Sequence, residues 1–413
     1  MRSAKGMWVV LLAVGLVFMV FREARSMPNF ARKYGVGCLT CHNPVPRLNE
    51  FGFKFRAAGY RMPDEIGKDV TSTPMTDHFA GRLQARYDLK HSKAASGAAS
   101  TSNQLTFHEV TLYPATGSWG KHFSSLIEMS FAPDEFPEIE NAYVRYVTGT
   151  EDRFFTLRMG IFHPFEGYGA SDRPLGLSRP LIQGTPANFN QSTFFKPWGF
   201  DQAGFELGYT VNNTAIRFTV FNGLFSEMNK AEPAQGGDLK KEPGSPSYNR
   251  KDFQIFVTHL FTDNGGGISA YFYSGSLDLP TGMRTPETFQ DTFQRYAIYG
   301  SYPVQKALIL AGYQYGKDKA FNYPASQDFN SAGFFGELDY NVSDALWLGG
   351  RFDEFDPATK RADNEALAIS AFANYSFNNG LQFIGEYKHK SVKQGASAKK
   401  VDDTFQLRLI FIL

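Results

Sequence analysis

From His78 to the last residue the chain repeats one unit, about ten residues in which apolar and polar side chains alternate, followed by a turn. Side chains on a β-strand point to alternate faces, so each unit reads as a strand with one apolar face. Phe79, Leu83, Ala85, Tyr87 and Leu89 share one face of the first unit, and Arg82, Gln84, Arg86 and Asp88 share the other. The pattern recurs with Phe123, Ile127, Met129 and Phe131 against His122, Glu128 and Ser130. It recurs again with Leu346, Leu348 and Phe352 against Trp347, Arg351 and Asp353, and with Leu381, Phe383 and Tyr387 against Gln382, Glu386 and Lys388. Apolar residues outside and arginine inside is the arrangement of a β-barrel set in a membrane.

The units predict strands near 78–89, 104–113, 121–131, 138–147, 153–162, 202–211, 213–221 and 251–261, then 266–275, 292–302, 306–315, 331–340, 344–353, 364–376, 380–389 and 402–413. About sixteen strands is an even number of the kind that closed bacterial barrels use. The connections are sorted by length. Asn212-Asn213, Thr262 to Gly265, Pro303 to Gln305 and Asn378 to Gly380 are short, whereas those between them are mostly long, including 163–201 and 222–250. Short turns on one side and long loops on the other are the habit of outer-membrane barrels, with turns and both barrel termini toward the periplasm. A soluble sandwich has no reason to sort its loops. Phe405, Leu407, Leu409, Phe411 and Leu413 alternate to the end, like a terminal strand read by barrel-insertion machinery, although such strands mostly end in Phe or Trp. The connection 163–201, rich in Pro, Phe and Gly, is expected either inside the lumen or as an external loop.

Composition agrees with this fold class, an all-β outer-membrane antiparallel barrel of about 16 strands. The chain has 40 Phe, 20 Tyr and 39 Gly at negative mean hydropathy, which suits aromatic girdles in alternating sequence. A formal net charge of +1 leaves no basic excess to track phosphates, so nucleic acid is excluded as a partner. Residues 1–26 read as a signal peptide, with Arg2 and Lys5 ahead of an apolar run from Trp8 to Phe21 that is shorter than the roughly 20 residues of a membrane-spanning helix.

Between the signal peptide and the barrel stands Cys38-Leu39-Thr40-Cys41-His42, the Cys-x-x-Cys-His pattern of covalent haem attachment, on the only two cysteines of the chain. Each thiol can add to a vinyl group of the porphyrin, and His42 is then the proximal iron ligand. The competing readings lack their contexts: a redox dithiol wants a βαβ pattern, and a zinc site wants four ligands where three are present. One haem c is therefore expected in a small helical domain, residues 27–75, followed by the barrel, residues 76–413. Leu48, Phe51, Phe55 and Ala58 recur at helical spacing, with Pro46 suited to the first turn and Gly59 to the stop. This helix is expected to lay its aromatic face on the porphyrin, with Arg47, Lys54 and Arg56 as candidate partners for the haem propionates. Met62 is the candidate distal ligand, with Met75, His78 and His122 as rivals and an open position as the other alternative. So short a segment cannot enclose a haem alone and needs the barrel as its partner surface.

The single haem motif, the run Pro46-x-Leu48-Asn49-x-Phe51-Gly52-x-x-Phe55-x-x-x-Gly59-Tyr60 and the porin-sized barrel together resemble the fused monohaem c-type cytochrome-porins. The resemblance covers the mature chain in architecture, with its specific residues between Phe30 and Tyr60. It implies a bacterial outer-membrane protein whose haem domain plugs the barrel, oxidises extracellular Fe(II) and passes the electron to a periplasmic c-type cytochrome. Cys38, Cys41 and His42 carry over onto the family's haem-binding motif. No catalytic acid, base or nucleophile is needed, because the reaction is electron transfer. Asp134-Glu135 and Asp353-Glu354-x-Asp356, in predicted outer loops, are candidate oxygen ligands for Fe(II). Two other functions fit the same residues: electron export to an extracellular acceptor, and a diffusion porin gated or tuned by the haem plug. Porins of this size often form trimers, so an oligomer is compatible with the chain.

Overall fold

The wall of the molecule is a closed antiparallel sheet, seen in a computed structural model. It describes residues 29–412 apart from 71–73, 134–136, 165–166, 168–173, 185–201, 224–249, 262–265, 281–287, 323–326, 378–379 and 394–398. The predicted signal peptide and the Asp134-Glu135 pair lie outside the described residues.

The strands are β1 Ala80–Lys93, β2 Ala99–Tyr113, β3 Gly117–Trp119, β4 Phe123–Phe131, β5 Glu138–Gly149, β6 Arg153–Phe162, β7 Gln202–Val211 and β8 Thr214–Phe221. They continue as β9 Asp252–Leu260, β10 Gly267–Pro280, β11 Thr288–Val304, β12 Ala307–Asn322, β13 Gln327–Asn341, β14 Leu346–Asp356, β15 Ala366–Ser376, β16 Leu381–Lys393 and β17 Lys399–Ile412. Apart from β2 and β3, each pairs with its sequence neighbour, and β1 pairs with β17 to close the ring. The short β3 and the end of β2 both pair with β4, one above the other, so seventeen segments fill sixteen positions. Every predicted strand is present. Several run further than the alternation indicated, as in β11 and β12, because strands leave the lipid layer without ending and their polar extensions no longer alternate. Ala99–Asn103 of β2, exposed throughout, is such an extension.

One face of the wall points to lipid and the other inward. On β13, Leu338 is 55% and Tyr340 49% exposed, whereas Glu337 and Asp339 between them are buried. Aromatic side chains gather near the short turns, where Phe123 packs edge-on against Tyr146 with centroids 5.6 Å apart and Tyr375 against Phe377 at 4.6 Å. A second group, Phe253, Phe272 and Tyr296, lies further along β9 to β11. These are the two girdles of a membrane barrel. Turns 150–152, 212–213, 305–306 and 342–345 share one end of the barrel with the start of β1 and the end of β17.

At that end the N-terminal segment enters the barrel. It comprises α1 Asn29–Tyr34, a 3₁₀ turn Cys38–Thr40, α2 Glu50–Ala57 and further 3₁₀ turns at Pro63–Glu65 and Met75–His78, so the barrel proper begins at Ala80, four residues beyond the predicted boundary. The helix expected from Pro46 starts at Glu50, because the Asn49 side chain caps it by accepting the Gly52 N–H at 2.9 Å. It stops as expected at Gly59, which adopts φ +73°. Phe55 packs against Phe30 and Tyr34 of α1. A second face was not visible in the periodicity: Phe53 meets Ala215 and Leu260 of the wall, and Ala57 and Ala58 meet Val147 and Phe154. The barrel surrounds the helix, so both its sides are core.

The described part of connection 163–201 folds into the lumen. Leu181 and Ile182 of the short helix α3 Leu181–Gly184 join Leu175 in an apolar cluster with inward residues of the wall. Ser178 receives Arg351 on its carbonyl at 2.9 Å, and the Leu177 N–H donates to Glu386 at 2.6 Å.

Candidate haem-attachment site

Cys38 and Cys41 lie at the two ends of a 3₁₀ turn, with the Cys41 N–H donating to the Cys38 carbonyl at 3.2 Å. Side chains three apart on such a turn eclipse one another, so both thiols project on the same side. They are not bridged to each other. The His42 N–H also donates to the Cys38 carbonyl, at 3.1 Å, which continues the turn into the imidazole.

The run after the motif builds its support. The Asn49 amide donates to the carbonyls of Thr40 at 3.0 Å and Leu39 at 3.3 Å, and its backbone N–H to that of Cys41 at 3.0 Å. Gly52 lets α2 pack directly on the turn: a Cβ there would stand 2.1 Å from the Cys41 carbonyl oxygen. His42 Nδ1 lies 3.2 Å from the Arg47 carbonyl, an arrangement that places the ring proton on Nδ1 and leaves Nε2 as an acceptor for a metal. Burial holds the imidazole down to about 4, outweighing the carbonyl bond, so His42 is neutral and in ligating form at neutral pH. Burial also pushes Cys41 up to about 11, with Cys38 adding to it, and raises Cys38. A redox dithiol needs the opposite shift. Beside Cys38 an open, mostly apolar cleft is lined by Leu39, Val45, Phe377, Leu381 and Ile412. Thiols on one side, an oriented neutral imidazole and an adjacent apolar cleft all fit a covalently attached haem.

The segment is fixed to the wall by polar contacts. Arg47 pairs with Asp339, with Glu337 at 4.0 Å. Asn374 and Gln382 both donate to the Val45 carbonyl, the former at 3.1 Å. Lys54 reaches Glu50 at 2.6 Å and Asn213 at 2.9 Å, Arg61 the Gly120 carbonyl at 3.2 Å, and the Tyr60 hydroxyl that of Tyr143 at 2.9 Å. Arg47 and Lys54, candidates for the propionates, are thus held by barrel and helix instead. Sequence alone could not choose between these partners, because Asp339 is 292 positions away from Arg47.

The other candidates are dispersed. Met62 lies beyond the C-terminal end of α2, whereas the motif packs on its N-terminal end, and its N–H caps a 3₁₀ turn through Glu65 at 3.0 Å. Met75 is exposed, His78 stacks on Trp119 at 3.7 Å, and His122 bonds the Val147 carbonyl at 2.9 Å and stacks on Tyr146. Asp353 stands on the inward face of a strand, as the alternation predicts, and so is not in the outer loop that the iron-ligand reading needs. It points inward from β14, accepting Arg351 at 2.9 Å and the Leu181 N–H at 3.0 Å, while alternation turns Glu354 to the other face. The predicted cluster therefore does not form, because the strand continues through it. Among the described residues no three His, Cys, Asp or Glu side chains converge to hold a metal ion.

No family model matches this sequence, and no curated protein matches it. Solved structures do match in shape. The outer membrane channel DcaP of Acinetobacter baumannii aligns over 81% of this chain and 96% of its own at 11% identity and a TM-score of 0.55. The anion-selective porin from Comamonas acidovorans aligns over 81% and 98% at 11% identity and 0.54. OmpT of Vibrio cholerae, in its trimer form, aligns over 81% and 99% at 13% identity and 0.50. At such identities the likeness concerns the fold alone, and the fold is that of an outer-membrane porin.

Proposed function

We propose that this protein carries electrons across the outer membrane. Cys38, Cys41 and His42 would hold one haem c, which would supply one-electron transfer from extracellular Fe(II) to a periplasmic c-type cytochrome. The observation that carries the reading is that the turn fitting a haem is locked into the mouth of a porin-type barrel, through Arg47 on Asp339 and Asn374 on Val45. When bound, the haem would supply a one-electron carrier able to exchange with the Fe(III)/Fe(II) couple.

The chain's own residues position that carrier. The Arg47 carbonyl orients His42, Asn49 and Gly52 set the turn, and the mouth of the barrel holds the segment at the end where both barrel termini lie, the end we assign to the periplasm. About 30 Å of hydrocarbon separates donor from acceptor, too wide a gap for an exposed carrier on either face. Connection 163–201 narrows the space above the segment, since Asn374 bonds both Val45 and, at 3.5 Å, Leu175. Met62, whose thioether would raise the potential, stands at the far end of α2 from His42 and is not assigned as the distal ligand.

The test is a vesicle experiment. With the protein reconstituted, a soluble oxidised c-type cytochrome inside and Fe(II) added outside, the enclosed cytochrome is reduced; if it stays oxidised while the protein's haem is present, the reading fails. The fold of the similar channels favours a second reading, a diffusion porin tuned by the plug. Steady open-pore conductance in planar bilayers is its signature, and a closed, electron-conducting barrel lacks it. A low haem potential points instead to electron export.

A further inference from the structure

A second polar cluster, three arginines around Glu206, faces the lumen on the opposite wall. Arg145 on β5 sits directly opposite Arg158 on β6, and Arg158 directly opposite Glu206 on β7. Arg217 on β8 is two positions from the partner of Glu206. All four point inward and are at most 6% exposed. Glu206 is shared by Arg158 at 2.6 Å and Arg217 at 3.9 Å. Among the described residues no carboxylate lies within ion-pair distance of Arg145: its Nη1 donates to the Arg56 carbonyl at the end of α2, and its guanidinium lies 5.4 Å from the Tyr143 ring. The Nε atoms of Arg145 and Arg158 are buried without a hydrogen-bond partner.

Like charges directly opposite on a sheet repel, and a buried guanidinium lacking an anion is costly. Stacking on Tyr143 and Phe162 recovers only part of this cost. A guanidinium presents a planar fork of donors that matches a carboxylate two bonds at a time. We infer that Arg145 and Arg158, backed by Arg217, form a binding site for a carboxylate-bearing anion between the barrel wall and the haem helix. Two sources share that chemistry, the propionates of the haem and a soluble organic anion entering the lumen. The first rests on the proposed function, and the second does not.

The experiment compares the purified full-length protein with Arg145→Gln, Arg145→Lys and Arg158→Gln, reading the haem midpoint potential and the acetate-to-potassium permeability ratio in planar bilayers. If the propionates occupy the site, Arg145→Gln lowers the potential, Arg145→Lys restores most of the shift, and permeability stays unchanged. If a soluble anion occupies it, acetate permeability falls and the potential stays unchanged. An unaltered potential together with an unaltered permeability in both glutamine variants overturns the site. Folding is checked by heat-modifiable mobility on gels; should Arg145→Gln fail to fold, Arg158→Gln and Arg145→Lys decide by the same readouts. A wild-type protein without covalent haem defeats the proposed function and leaves the permeability arm to judge the anion site.

Discussion

On the β13–β16 side of the lumen, Arg47 of the haem segment enters a wall bearing Glu337, Asp339, Asp353 and Glu386; on the β5–β8 side, α2 meets a wall bearing Arg145, Arg158 and Arg217. Each carboxylate of the first wall has a cation or N–H partner, Asp339 through Arg47 itself. Arg351 answers Glu337 at 3.2 Å and Asp353 at 2.9 Å, while backbone N–H groups of connection 163–201 answer Glu386 and Asp353. On the second, Arg145 faces Arg158 across the sheet and, among the described residues, has no carboxylate within ion-pair distance. The difference teaches how one barrel both clamps a short segment and keeps a polar receptor beside it: paired charges fix position, and a surplus of one sign awaits a ligand.

The comparison breaks most visibly at Arg47. Replacing it with alanine strands Asp339 as a buried charge and is expected to cost about 3–5 kcal/mol, whereas Arg47→Met with Asp339→Leu, which removes both charges, is expected to be near neutral. Urea unfolding in lipid vesicles reads both, and planar-bilayer conductance rises in Arg47→Ala as the segment lets go. Equal stabilities for the single and double variants would mean that this pair does not hold the segment. The outer face of the same strand supplies the contrast: Leu338, adjacent to Asp339 but lipid-facing, is expected to lose about 2–4 kcal/mol as Leu338→Arg, measured by the same unfolding.

Two smaller effects separate the haem turn from the clamp. Gly52→Ala sets a methyl against the Cys41 carbonyl, which is expected to cost about 1–3 kcal/mol and to reduce the fraction of purified barrel carrying covalent haem. Barrel unfolding itself should stay nearly unchanged, and a normal haem content would show that α2 does not shape the turn. Asn49→Ala removes the helix cap and the bonds to the Leu39 and Thr40 carbonyls, with an expected loss of about 1 kcal/mol, read from protection of α2 amides in hydrogen exchange.

The wall was legible because every residue in it faces either lipid or lumen, and that choice is written in the side chain, as Leu338 and Asp339 show. Strand ends were not, because beyond the bilayer both faces are wet, as at Ala99–Asn103. The same effect misplaced Glu354 and Asp356: their acidic run suggested a loop, but the strand continued through both, and Asp353 stayed on its inward face beside Arg351. The haem turn stood out through its Cys-x-x-Cys-His spacing, and Asn49 and Gly52 explain the residues that follow it. The roles of Arg47 and Phe53 were hidden, since both depend on partners far away in the chain that only closure of the barrel brings near. The arginine cluster gave no local signal either: Arg145, Arg158 and Arg217 each look like one more inward residue until the strand register aligns them.

The most direct measurement is a spectroscopic redox titration of the purified, detergent-solubilised protein, with Fe(II) added anaerobically to its oxidised form at neutral pH. The account predicts the absorption of one covalent haem per chain, prompt reduction by Fe(II), and a midpoint potential above that of the ferric/ferrous couple under the same conditions. A protein without haem absorption, or a haem that stays oxidised with a potential well below that couple, would contradict it.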